Sequence, residues 1–204
     1  MRSVMRELPF ADDVYCICDD GALCMHGGKT LYHKPLSIEN LLRFERNPAY
    51  RELPVLYFSD TFSYVLRSTP DFLEKLAAQN IDRLDPISSV YDMKQPIYKI
   101  GVYAPDCRPE PLLPEPFDLR VCYHSENWLE YTSRFADKGL ALSDLQMRLY
   151  LAGFDTAVFG DGDNDLAMFA KAKYTYARRG GSEPLCAHAG ETFDDIAAAL
   201  EALC

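Results

Sequence analysis

Apolar and polar residues fall in short blocks along the chain, and the blocks predict its elements. Val14 to Cys18 is a β-rich run that stops at Asp19-Asp20-Gly21. Ala22 to His26 and Lys29 to Lys34 flank Gly27-Gly28, the sequence signature of a hairpin. From Ser37 to Arg46 the spacing turns helical, with Ser37 as N-cap and Ile38, Leu41 and Leu42 on one face. Pro54 to Ser59 and Phe62 to Leu66 read as strands. Thr69 to Gln79 reads as a helix capped by Thr69, with Pro70 at its first position and Phe72, Leu73 and Leu76 inward. Pro96 to Tyr103 is a further strand, and the proline-rich stretch 105–116 can hold neither regular structure, so it reads as a surface connection.

The last third has a different rhythm. Asp137 caps a helix from Lys138 to about Leu151, with Leu142, Leu145 and Leu149 inward and Gly153 as its stop. Thr156 to Gly160 is a short apolar strand that runs into Asp161-Gly162-Asp163-Asn164-Asp165 and then a helix through Ala170. Tyr174 to Ala177 and Asp194 to Leu203 supply one more strand and a closing helix. Alternation of this kind predicts an α/β domain built on a parallel sheet.

Composition narrows the function. The 204 residues carry 21 Lys and Arg against 31 Asp and Glu, a net charge of −10, with no basic cluster to offset it. A phosphate backbone would be repelled, so nucleic acid is excluded as a partner. No apolar run reaches bilayer length and no signal peptide is visible, so no membrane association is read. The seven cysteines form no Cys-x-x-Cys pair, and their odd, irregular set fits reduced thiols and a cytoplasmic location. No sequence feature specifies an oligomeric state.

The densest chemistry lies at Phe159 to Asp165. Three carboxylates and an amide sit within five residues, at the end of a strand where open α/β sheets bind ligands. Such crowding is unfavourable unless a cation neutralises it, and hard oxygen donors suit Mg²⁺. The same residues also make an ordinary capped turn, since Asp-Gly and Asn-Asp favour turns and acids favour helix starts. An EF-hand loop is ruled out, because its sixth and twelfth positions would be Leu166 and Ala172.

The stretch FGDGDNDLAMFAKA resembles the fourth motif of Cof-type phosphatases of the haloacid dehalogenase (HAD) superfamily. WLEYTSRFADKGLALSDL resembles their third-motif region, PIYKIGVY a strand of their inserted cap, and CDDGALCMHGGKTLYHKPL the N-G-A segment and hairpin that lead into it. The resemblance implies a doubly wound, Rossmann-like α/β core with an inserted α/β cap. The core would come from residues 1–34 and 127–204, and the cap from 35–126. It further implies a Mg²⁺-dependent phosphatase acting on small phosphorylated metabolites such as sugar phosphates, through an aspartyl-phosphate. By resemblance Asp161 is a direct Mg²⁺ ligand and Asn164 contacts the substrate phosphate. Asp165 supports the metal shell, and Lys138 neutralises the phosphoryl oxygens. Asp163 fills a variable position of the motif.

One part of the family pattern is missing. Neither a D-x-D-G-T nucleophile motif nor the following Ser/Thr motif precedes the N-G-A-like segment. The chain is accordingly expected to begin downstream of its family's usual start and to be inactive alone. Strands 14–18 and 156–160 would lack the partners those motifs provide. The alternative function is a non-catalytic remnant that binds phosphorylated ligands or a protein partner. Cys18 stands where a look-alike of the nucleophile motif would place its nucleophile, but the hairpin that follows fits the N-G-A reading better. Cys16, Cys18, Cys24 and His26 have the spacing of zinc ligands, which strand alternation reads as core cysteines instead.

Overall fold

The structure, a computed structural model, describes residues 15–106, 118–151 and 156–201. The proline-rich 105–116 segment lies almost wholly outside these, as do Gly153 and residues 1–14. The chain divides into two compact units, Met1–Ala136 and Asp137–Cys204.

The first unit opens with an antiparallel meander of β1 (Tyr15–Cys18), β2 (Leu23–His26) and β3 (Lys29–His33). The β1–β2 reversal takes three consecutive residues into the left-handed region, Asp19, Asp20 and Gly21 at φ 49, 54 and 91°. Aspartate tolerates that conformation better than bulkier residues do, because its short polar side chain can bond locally. Gly27 and Gly28, both at positive φ, close the β2–β3 hairpin.

Helix α1 (Ile38–Glu45) begins where Ser37 accepts the Asn40 N–H at 3.2 Å. It buries Leu41 and Phe44 and leaves Ile38 exposed, so its inward face is rotated from the one read in the sequence. Strands β4 (Val55–Phe58) and β5 (Ser63–Leu66) form a hairpin, followed by α2 (Pro70–Ala78) and β6 (Leu84–Ile87). Strands β7 (Lys99–Tyr103), β8 (Leu119–His124) and β9 (Trp128–Ser133) complete a six-stranded mixed sheet in the order β6-β5-β4-β7-β9-β8. The sheet takes in all of β9, to Ser133.

Strand alternation splits this unit's core into two layers. Val55, Tyr57, Ile100, Val102, Leu129 and Tyr131 pack with Leu41 and Phe44 of α1. Leu56, Val65, Tyr103 and Trp128 pack with Phe72 and Leu76 of α2, while Leu73 stays exposed. Gly101 is required in the second layer, because a Cβ there would lie 2.6 Å from the Trp128 ring. Trp128 is thus a core residue.

The second unit holds α3 (Lys138–Arg148), β10 (Ala157–Gly160), α4 (Leu166–Phe169), β11 (Tyr174–Arg178), α5 (Glu183–His188), β12 (Glu191–Phe193) and α6 (Ile196–Glu201). β10, β11 and β12 pair in parallel, the doubly wound arrangement of an α/β fold. Val158 and Ala177 pack with Phe169 of α4 and Leu185 of α5. On the opposite face Phe159 stacks on Tyr176 at 4.8 Å and meets Phe193 edge-on at 5.4 Å. Leu142 and Leu145 of α3, and Leu149 at its C-cap, are only half-buried. Its buried polar residue is Gln146, whose amide donates to Thr156 Oγ1 and the Lys171 carbonyl at 2.9 and 3.0 Å.

Candidate functional site

Strand β10 delivers the chain to the acidic loop, and one carboxylate then organises it. Asp165 closes a 3-10 turn, Asp163–Asp165, and folds back on the strand end. Its Oδ2 accepts the backbone N–H groups of Asp161 and Gly162 at 3.0 and 3.3 Å. Its Oδ1 takes a charge-assisted bond from Lys138 Nζ at 2.6 Å. Two glycines make this geometry possible. A Cβ at Gly160 would lie 2.7 Å from Asp165 Cβ. A Cβ at Gly139 would lie 2.2 Å from the Ala167 carbonyl oxygen, so only glycine lets the start of α3 reach α4 and bring Lys138 to the loop. Asp137 starts that helix by accepting the Leu140 N–H at 2.7 Å.

The four residues singled out by resemblance therefore lie in one unit, and two of them touch. Asp165 is buried, with its side chain 6% exposed, and Lys138 is 26% exposed. The Asp161 side chain is exposed, while its carbonyl is held by the Ser182 N–H at 2.8 Å. Asn164 is half-buried, with Oδ1 2.9 Å from where a Gly162 Cβ would stand. Asp163 is exposed. Hard oxygen donors dominate the loop, which suits Mg²⁺. Both oxygens of Asp165 already accept bonds, whereas the side chains of Asp161 and Asp163 are exposed. Mg²⁺ keeps several of its waters, so one or two carboxylates suffice.

A second charged cluster lies in the first unit, and its parts are too far apart in sequence to be read together. Lys99 Nζ binds Asp20 Oδ2 and Glu130 Oε2, each at 3.0 Å. Glu130 Oε1 in turn accepts the Trp128 indole N–H at 2.9 Å. Burial works against the charge on Lys99, yet Glu130 and Asp20 outweigh it and raise the lysine's pKa. One signal was available: a single lysine in the otherwise apolar run IYKIGVY needs a buried anion. Asp20, Cys122 and Glu130 bring their ligand atoms within 4.8 Å of one another. The ammonium of Lys99 already bridges the two carboxylates, so this cluster is read as an ion-pair network.

Burial pushes the Cys18 thiol up to about 12, which makes it a poor nucleophile. Cys16, Cys18, Cys24 and His26 do not assemble as metal ligands among the described residues, and His26 stacks on Tyr15 at 4.0 Å.

Comparison with known proteins gives these features a lineage. A protein of Mycoplasma genitalium with a provisional phosphatase name is 40% identical over 91 residues, which is 42% of this chain and 32% of that protein. The 5-amino-6-(5-phospho-D-ribitylamino)uracil phosphatase of Escherichia coli is 21% identical over 185 residues, 88% of this chain and 68% of that protein. The chain thus matches about a third of one relative's length and two thirds of the other's. Among solved structures, a haloacid dehalogenase-like hydrolase from Bacteroides thetaiotaomicron superposes with TM-score 0.77 at 18% identity, over 93% of this chain and 76% of that one. A HAD subclass IIB sugar phosphatase superposes with TM-score 0.77 at 14% identity, over 98% and 79%. At such identities these two attest the fold. No helix among the described residues is long and apolar enough to cross a membrane. The family model for haloacid dehalogenase-like hydrolases matches residues 1–198, so the chain belongs to the haloacid dehalogenase-like hydrolase family.

Proposed function

We propose that this chain carries the phosphate-holding half of a Mg²⁺-dependent phosphatase for small phosphorylated metabolites, with residues 35–133 as its cap. The observation that supports it most is the double use of Asp165. One buried carboxylate fixes both the Lys138 ammonium and the backbone of Asp161. Lys138 presents an ammonium with three donors, of which Asp165 takes one, and the others suit phosphoryl oxygens. Asn164 adds an amide from the same turn. Asp161 would hold Mg²⁺, which when bound offsets negative charge on the phosphoryl group. The phosphatase names of the sequence relatives support a phosphomonoester as the ligand class.

No D-x-D-G-T segment occurs in residues 1–204, so this polypeptide is expected to hold phosphate without transferring it. Calorimetric titration with inorganic phosphate, with and without Mg²⁺, tests the reading. Binding should require Mg²⁺ and weaken in Asp161→Asn. Binding that ignores both the ion and that substitution contradicts the site. Robust turnover of a sugar-phosphate panel by the 204-residue chain contradicts the division of labour.

A further inference from the structure

The first unit contains a pocket of about 260 Å³ that the phosphate site does not involve. Asp19, Phe58, Phe62, Asn80, Arg83 and Lys99 are among its walls. Asp19 is unusual within it. Its Oδ2 is sealed from solvent and has no hydrogen-bond partner among the described residues. Leaving a buried acceptor unmade is costly, so such an atom calls for an explanation. Its backbone is also held in the left-handed region, φ 49°, beside Asp20 at 54°. Strain of that kind collects at ligand sites.

The charges around Asp19 choose the donor that would satisfy it. Asp20 and Glu130 both bind Lys99, and all three groups act electrostatically on Asp19. With Asp19 ionised, three carboxylates face the Lys99 ammonium and the Arg120 guanidinium, which donates to the Asp20 carbonyl at 3.4 Å, an excess of one negative charge. Arg83, exposed at the mouth, has the exposed Asp82 beside it in the chain. The walls combine two phenylalanine rings, one of them carrying the Lys99 ammonium at 5.6 Å, with the Asn80 amide, which suits a short carbon skeleton bearing hydroxyls. The volume lies below the range of drug-sized pockets.

We propose that this pocket binds the primary ammonium group of a small amino-polyol, with Asp19 as the residue that selects ammonium over hydroxyl. The cation supplies the missing donor to Asp19 and offsets the cluster's excess charge. Phe58 and Phe62 cover the carbon skeleton, and Asn80 meets its hydroxyls.

The test uses the whole chain with glucosamine and glucose, which differ by one ammonium in place of a hydroxyl. Neither carries phosphate, so the outcome is independent of the site at Lys138 and of the phosphatase reading. In an amide chemical-shift titration, glucosamine should move the resonances of Ser59, Phe62 and Asn80. Glucose should bind about tenfold more weakly, the worth of one hydrogen bond to a charged group. Asp19→Asn, which suits the left-handed backbone, should bring the two sugars to equal affinity, with Trp128 fluorescence reporting that the unit remains folded. Equal binding by the unaltered chain, no binding of glucosamine, shifts confined to other residues, or a preference that survives Asp19→Asn would each overturn the proposal.

Discussion

Each unit of the molecule holds a lysine against carboxylate, and the two arrangements differ in what they leave over. Lys99 sits in the six-stranded sheet with its side chain 15% exposed, and two carboxylates bind it at 3.0 Å each. Lys138 begins a helix with its side chain 26% exposed, and binds a single carboxylate that also holds two backbone N–H groups. The first lysine is consumed by its partners. The second is oriented by its partner but keeps donors to spare. A charged pair points to function when the geometry fixes the group without using it up.

The largest effect is expected at Lys99. Lys99→Met strands Asp20 and Glu130 as buried anions, and removing one member of such a network costs about 3–5 kcal/mol. Denaturant unfolding followed by Trp128, the chain's single tryptophan and the donor to Glu130, should show that loss. Unchanged stability would mean the cluster is hydrated and weak. Next comes Gly139→Ala. Its new Cβ would meet the Ala167 carbonyl oxygen, and overpacking of this order costs roughly 1–3 kcal/mol. The Asp161 and Gly162 amides, protected by Asp165, should exchange faster, while Trp128 reports no change.

The smallest effect concerns Asp19 and sharpens the picture of a strained acid. Burial above all raises its carboxyl pKa from the ordinary 3.8, although Lys99 opposes the shift. The folded chain therefore holds this proton to higher pH than the unfolded chain does. Its contribution to stability is present at low pH and is lost as pH rises from 3.8 through the raised value. Asp19→Asn should flatten that part of the pH–stability curve and leave the chain slightly more stable near neutrality. A variant that is less stable at neutral pH would show that the ionised carboxylate has a partner in the native state.

Much of the second unit was legible in the sequence because its signals are local. The strand Ala157–Gly160, the loop and the start of α3 at Lys138 each carry their own punctuation in Asp137, Gly139, Gly160 and Gly162. The pairing of Lys138 with Asp165 joins residues 27 apart in sequence and came only with the fold. The resemblance gave Asp165 to the metal shell, while its observed bonds are to Lys138 and the loop backbone. β6 reads Leu-Asp-Pro-Ile and pairs only with β5 among the described residues, so neither alternation nor composition marks it. β8 and β9 mix charged with apolar residues; β9 is buried between β7 and β8, and β8 ends the sheet order, so position in the sheet and not their own pattern sets their burial. Ile38 and Leu73 fit the helical period yet stay exposed, since the sheet takes up only Leu41 with Phe44 and Phe72 with Leu76. The Lys99 network joins Asp20, Lys99 and Glu130 across three separate stretches, which no local window spans.

On the proposed function Lys138 holds phosphate, whereas Lys99 serves the ion-pair network of the sheet. Phosphate affinity in the presence of Mg²⁺, measured by calorimetry on the unaltered chain, Lys138→Met and Lys99→Arg, tests it most directly. Lys138→Met should weaken binding at least about tenfold, the worth of one lost charge-assisted bond, and leave Trp128 fluorescence unchanged. Lys99→Arg, which keeps the charge, should bind phosphate like the unaltered chain. Undiminished affinity in Lys138→Met, or an equal loss in both variants, would contradict the account.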